Sequence, residues 1–121
     1  MDVTAQISNV VSAQSLTEGV CTIFVQHTSA SLLYQENYDP SARQDLEAWL
    51  NRLVPELDPI YTHTLEGPDD MPAHIKSALT ATQVSIPVMD KKLTLGAWQG
   101  VFLWEHRSSG HQRSLIWHVS P

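Results

Sequence analysis

Hydrophobic positions in the first fourteen residues recur three and four apart: Val3, Ile7, Val10 and Val11. That spacing puts them on one side of an amphipathic helix over residues 2–14. Gly19 interrupts the chain, and the period then changes to two. Cys21, Ile23, Val25 and His27 predict a strand over 20–28 with those four on its inward face. A second short strand over 31–36 follows the Thr28-Ser29-Ala30 bend. Asp39 before Pro40 marks a helix start, because an aspartate accepts the first unpaired backbone N–H groups and proline brings no N–H of its own. Leu46, Trp49, Leu50 and Leu53 are the apolar stripe of that helix, which stops before Pro55.

Residues 55–69 read as a loop. Asp70 or Met71 caps a short helix over 72–80, with Ile75 and Leu79 facing the core. Strands are predicted at 83–89, 92–97, 99–107 and 112–119, with hairpin-like connections at Asp90-Lys91-Lys92 and Ser108-Ser109-Gly110. In the segment Trp98–Arg107, Trp98, Phe102, Trp104 and His106 fall on one face. Gln99, Val101, Leu103, Glu105 and Arg107 fall on the other. Large residues on both faces predict burial on both faces, inside a sandwich or under a partner subunit. The order α-β-β-α-α-β-β-β-β is that of a single α+β domain over 1–121, with about three helices and mostly antiparallel, sandwich-like sheets.

Composition narrows the functional classes. The length of 121 residues fits one domain, and an apolar share of 42% supports a real core. Four tryptophans point to large buried contacts or an aromatic-rich interface. A net charge of −6 argues against nucleic acid as a partner, since that affinity comes mainly from cations neutralising phosphates. It leaves room for a local basic pocket that takes a small phosphorylated or anionic ligand. Cys21 is the only cysteine, so an intramolecular disulfide and a thiolate zinc cluster are both excluded. No apolar run approaches the roughly 18 residues of a membrane span, and no basic-then-apolar leader opens the chain. The expectation is a cytoplasmic protein with no membrane partner.

Candidate chemistry concentrates in residues 63–76, where His63, Glu66, Asp69, Asp70, His74 and Lys76 lie among Gly67, Pro68 and Pro72. Adjacent carboxylates such as Asp69 and Asp70 suit a hard cation such as Mg²⁺, or else a helix cap. His74 lies four residues after Asp70 and so shares its helix face. His27 ends a buried strand, and His106 ends another between Glu105 and Arg107. Three imidazoles from His27, His74 and His106, leaving a fourth position open, would make a zinc-type catalytic site. Lys76 and Arg107 can pair with phosphate. Glu36 ends a strand and is the pocket candidate of its segment, whereas Asp39 is a cap. His111, in a polar turn, and His118, on an alternating strand, read as structural or solvent-facing.

These residues fall in blocks that resemble a known family. His27-Thr28-Ser29-Ala30-Ser31-Leu32, then Glu36-Asn37, Asp39-Pro40 and Asp45-Leu46, is similar to the first signature block of the YjbQ-like family. Glu66 to Lys76 resembles the second block and Leu95 to Arg107 the third. The resemblance implies a small α+β protein that assembles as a homotrimer, in a family generally named secondary thiamine-phosphate synthases though many members are described only as uncharacterised. It also implies a pocket near subunit boundaries, with His27, Ser29, Glu36, Asp69, Asp70, His74, Lys76, Gln99, Glu105, His106 and Arg107 at the matching positions. Family members begin with a strand before the first helix. This chain opens at that helix, so that edge strand is expected to be missing.

Three functions follow as expectations. The first is a transferase that condenses a pyrimidine diphosphate with a thiazole phosphate, possible as a side activity. Here Asp69 and Asp70 hold Mg²⁺, Lys76 and Arg107 offset the diphosphate charge, Ser29, Glu36 and Gln99 contact substrate, and His74 or His106 donates a proton. The second is a hydrolase or lyase using a divalent metal such as zinc on His27, His74 and His106, with Glu105 or Asp69 as base or supporting partner. The third is a non-catalytic trimeric ligand-binding protein.

Overall fold

The period-two run after Gly19 becomes the centre of a sheet. The computed structural model describes all 121 residues. α1 (Thr4–Ser12) precedes β1 (Gly19–Val25) and β2 (Ala30–Glu36). α2 (Pro40–Leu53) and α3 (Asp70–Leu79) follow, and β3 (Gln83–Met89), β4 (Lys92–Leu93), β5 (Gln99–Glu105) and β6 (Leu115–Ser120) complete the chain. One sheet has the order β4-β3-β1-β6 and the other is the pair β2-β5. All pairings are antiparallel.

Register decides what is buried. Cys21 lies opposite Ile86 and Val119, and Ile23 opposite Val84 and Trp117. Directly opposed residues share a face, so one face of this sheet is apolar throughout. It packs on Ala30 and Leu32 of β2 and Val101 of β5, and Val3, Ile7 and Val11 of the α1 segment close the core. The strand expected to be buried on both sides is so in its middle. Val101 enters this core, while Phe102 points the other way, with the Arg43 guanidinium of α2 4.3 Å from its ring centroid.

Several boundaries differ from expectation. The strand over 92–97 shrinks to Lys92–Leu93, where the turn at Asp90 and Lys91 takes positive φ. α3 starts at Asp70, and Asp69 stands at its N-cap without a side-chain cap bond. Its buried side consists of Pro72, Ala73, Lys76 and Ser77, so Leu79 is exposed rather than inward. Asp39 caps α2 as expected, accepting from Ser41 N–H at 2.9 Å. Only Leu50 of that helix is buried, and Trp49 and Leu53 face outward. Residues ahead of α1 run along β5: Val3 N–H donates to Val101 O (2.9 Å), and Leu103 N–H donates to Met1 O (2.8 Å).

Candidate functional site

The ladder between β2 and β5 sets the geography. Ala30 pairs with Glu105 at one end and Glu36 with Gln99 at the other. Chemistry gathers at the first end, where the chain leaves β5 through His106, Arg107 and Ser108 and meets the start of α3. Six residues of strand rise put Glu36 and Gln99 roughly 20 Å from it. Within one subunit these two do not join the site as expected. Glu36 instead accepts from Asp39 N–H (3.2 Å), and Gln99 Oε1 accepts from Gly96 N–H (2.8 Å).

Arg107 organises the acidic pair. Its Nε–H donates to Asp69 Oδ2 (2.9 Å), Nη1–H to Asp70 Oδ1 (2.8 Å) and Nη2–H to Glu66 O (3.0 Å). Ser108 adds its backbone N–H (2.9 Å) and hydroxyl (3.0 Å) to Asp69 Oδ2. The Arg107 bond and those from Ser108 hold the Asp69 carboxyl far below the usual range, and Asp69 in turn raises Arg107. One guanidinium thus bridges both carboxylates and offsets one of their two charges. The carboxylates form no open Mg²⁺ pair, and Arg107 has most of its N–H groups committed to them and to Glu66 O.

The second oxygen of Asp70 carries a different group. His63 Nε2 lies 2.6 Å and His74 Nε2 3.2 Å from Asp70 Oδ2, and the two rings sit edge to face with centroids 5.2 Å apart. An ionised carboxylate only accepts, so both imidazoles donate. Burial raises the Asp70 pKa, but the His63 bond and the charges of His74 and Arg107 outweigh it, and the net shift is downward. One ligand atom from each of His63, Asp70 and His74 falls within a 4.8 Å span. Ligands about 2.0–2.1 Å from a tetrahedral zinc stand ~3.3 Å from one another, which the His74–Asp70 separation of 3.2 Å matches, while the His63 ring would move back from 2.6 Å to admit an ion. Arg107 on the other Asp70 oxygen is the kind of outer partner that orients a metal-binding carboxylate.

The expected trio of His27, His74 and His106 does not converge, since the one His/Asp cluster with metal spacing is His63, Asp70 and His74. The reason is local. His27 follows the end of β1, and its Nε2 accepts from Ser114 N–H (2.8 Å). His106 is buried, with Nε2 2.8 Å from Ser31 Oγ. His63 was visible in the sequence as part of the dense stretch, but no spacing rule links a loop histidine to a helix seven residues on.

α3 splits the remaining candidates between its two sides. One side borders a cavity of about 400 Å³ lined by Asp69, Lys76, Trp104, Glu105, His106 and Arg107. The other borders an open groove lined by His27, Ser29 and His74. In the cavity, Lys76 Nζ donates to Asn51 Oδ1 (2.5 Å), and burial lowers its pKa. Burial, then the Lys76 charge, pushes His106 down to about 4, so its ring is neutral at pH 7 and is no imidazolium donor. Burial raises Glu105, but the Arg113 bond from Nε–H to Oε2 (2.7 Å), the Arg107 backbone N–H and the Arg113 charge together outweigh it, and the net shift is downward. Arg113, Asn51, Ser31 and Thr80 carried no sequence signal of their own. His111 bonds within its turn and His118 is exposed.

Known proteins share this fold. The family profile described as "UPF0047 protein YjbQ-like" matches residues 1–121. The UPF0047 protein sll1880 of Synechocystis is 54% identical over 116 residues, covering 96% of this chain and 79% of that protein. The UPF0047 protein YjbQ of Escherichia coli O157:H7 is 45% identical over 98 residues, 81% of this chain and 70% of its own length. Among solved structures, an uncharacterised YjbQ/UPF0047 protein of Clostridium acetobutylicum superposes with a TM-score of 0.88 at 28% identity, over 99% of this chain and 89% of the other. The conserved hypothetical protein TT1486 of Thermus thermophilus gives 0.86 at 32% identity, over 99% and 90%. With a family match along its full length and a relative at 54% identity, the chain belongs to the UPF0047 (YjbQ-like) family.

Proposed function

We propose that this protein is a metal-dependent enzyme of the hydrolase or lyase type, working on a small polar ligand and assembled as a homotrimer. The observation that carries the reading is the His63, Asp70 and His74 triangle, two nitrogens and one oxygen within 4.8 Å, whose carboxylate is pinned from behind by Arg107. A divalent transition metal suits that donor set better than Mg²⁺, which prefers oxygen alone. Such a metal, when bound, supplies Lewis acidity and a water of lowered pKa. For the protein's part, His63 and His74 give up Nε2 protons to bind, and Asp70 keeps Oδ2 inward.

Zinc titrated into metal-free protein, followed by calorimetry and elemental analysis, is expected to bind once per chain. His63→Ala and His74→Ala are each expected to weaken binding at least tenfold, while His27→Ala leaves it unchanged. No stoichiometric metal in any of these proteins would sink the reading.

A second reading rests on Lys76 and Arg107 lining one cavity. It is the condensation the family resemblance implies. A C–N bond forms between the pyrimidine methylene and the thiazole nitrogen as the C–O bond to diphosphate breaks, and diphosphate leaves with the electron pair. Purified protein given both substrates is then expected to release pyrophosphate and thiamine phosphate together. Absence of both products rejects it.

A further inference from the structure

Three side chains beneath the cavity form a hydrogen-bonded line whose protons can be counted. Thr80 Oγ lies 2.7 Å from Lys76 O, and a carbonyl only accepts, so the single Thr80 proton is spent there. Ser31 Oγ contacts Thr80 Oγ on one side and His106 Nε2, at 2.8 Å, on the other. For the Ser31–Thr80 contact to hold a proton at all, Ser31 must supply it. Ser31 then has only lone pairs left for His106, and the proton between them must sit on Nε2. The line runs one way: His106 Nε2–H to Ser31, Ser31 O–H to Thr80, Thr80 O–H to the backbone of α3. The other assignment, Ser31 donating to a bare Nε2, leaves two hydroxyl oxygens facing each other with no proton between them.

The consequence falls on the other ring nitrogen. A neutral imidazole with its proton on Nε2 has a lone pair on Nδ1. Nδ1 has no hydrogen-bond partner, yet no side-chain polar atom of the molecule is both buried and unpartnered, so Nδ1 is reached from outside. His106 lines the cavity of about 400 Å³ beside Lys76 and Trp104, and its ring stacks at a tilt on Trp104 with centroids 5.1 Å apart. Burial and the nearby Lys76 charge keep the ring neutral at pH 7.

We propose that His106 presents a bare Nδ1 to this cavity as its proton-accepting atom, with Ser31 and Thr80 as positioning residues that set its tautomer. The ligand it takes is one with a hydroxyl or a bound water to give. As that oxygen bonds to an electrophilic carbon or phosphorus, its O–H proton passes to Nδ1, and the bond from that centre to the leaving group breaks, the electron pair going with the leaving group. The imidazolium keeps Nε2–H on Ser31 and returns the other proton to the leaving group, so the site ends as it began. The catalytic use of Nδ1 rests on the reading that the protein is an enzyme, whereas the tautomer needs neither metal nor substrate.

Nitrogen-15 NMR of histidine-labelled, metal-free protein at pH 7 reads the tautomer directly. The expected pattern for His106 is a protonated Nε2 and an unprotonated Nδ1. A proton on Nδ1, or an imidazolium, overturns the proposal. Thr80→Val removes the acceptor for the Ser31 proton, so Ser31 turns to donate to His106 and the tautomer shifts toward Nδ1–H. Thr80→Ser is expected to restore the wild-type pattern. An unchanged tautomer in Thr80→Val overturns the positioning role. Access is checked with diethyl pyrocarbonate and peptide mapping: His106 is expected to be modified, more slowly than exposed His111 and His118. Complete protection of His106 removes it from the cavity's chemistry. Failure of zinc to bind, by contrast, strikes the metal reading and leaves these measurements untouched.

Discussion

Asp69 accepts from Arg107 and twice from Ser108, whereas Asp70 shares Arg107 but turns its other oxygen to two histidines. The adjacent carboxylates therefore answer differently to the same substitution. Asp69→Asn loses the charge opposite Arg107 and is expected to cost about 1–2 kcal/mol in urea unfolding, as for a charge-assisted bond at a partly accessible site, with zinc affinity nearly unchanged. Asp70→Asn is expected to abolish zinc binding. If Asp69→Asn also abolished it, the two carboxylates would be acting as one unit. Stability should fall with acid in two stages. His106 has its pKa depressed from 6.5 to about 4, so the unfolded chain binds more protons between those values, and the stability from its neutral burial is full above about 6.5 and lost as pH falls to about 4. Asp69 and Asp70 are depressed below the ordinary 3.8, so their share holds above about 4 and is lost below it. Unfolding midpoints from pH 8 to pH 2 check both stages, and His106→Gln should flatten only the upper one. The chemical residues of 63–76 were legible because so many titratable groups in a loop lack a packing reason. Ser31, Thr80 and Asn51 were not, because a hydroxyl or amide gains its meaning only from the partner the fold brings to it.

α3 shows how tertiary bonds rotate an element. Its sequence pattern points Ile75 and Leu79 inward, yet Arg107 draws the Asp69-Asp70 end toward β5, and Ser77 Oγ donates to Ala30 O at 3.2 Å. Those two anchors turn Ala73, Lys76 and Ser77 to the core and leave Leu79 60% exposed. β1 meets no such competition, so its period-two pattern and its fold agree: Cys21, Ile23 and Val25 are all buried. Truncation separates the two cases. Ile23→Ala, at a fully buried position in the core cluster, is expected to cost about 3–4 kcal/mol. Leu79→Ala is expected to cost under ~0.5 kcal/mol. Equal losses in chemical denaturation would mean that Leu79 is covered in solution, which a partner subunit can do.

At the scale of the molecule, the two sheets bury their facing sides, and the outer side of the larger sheet keeps apolar groups that a monomer has no use for. Phe24 and Ile116 are directly opposed on that side, 44% and 49% exposed, with Val20 two pleats along β1 and Met89 at the end of β3. A solvated sheet face is ordinarily polar, and contiguous exposed apolar residues mark contact sites. Thr22, Ser85 and His118 lie among them, so the face mixes apolar and hydrogen-bonding groups as interfaces do. The proposed homotrimer is expected to use this face. Sedimentation equilibrium should then give about three times the 13.5 kDa chain mass. Phe24→Glu combined with Ile116→Glu sets six like charges against one another in a trimer and is expected to yield folded monomer, its circular dichroism unchanged because neither side chain enters the core. A trimer that survives both substitutions excludes this face as the interface. A wild-type monomer removes the assembly itself, and leaves Glu36 and Gln99, at the far end of the β2-β5 ladder, with no route into a site built around His63, Asp70 and His74.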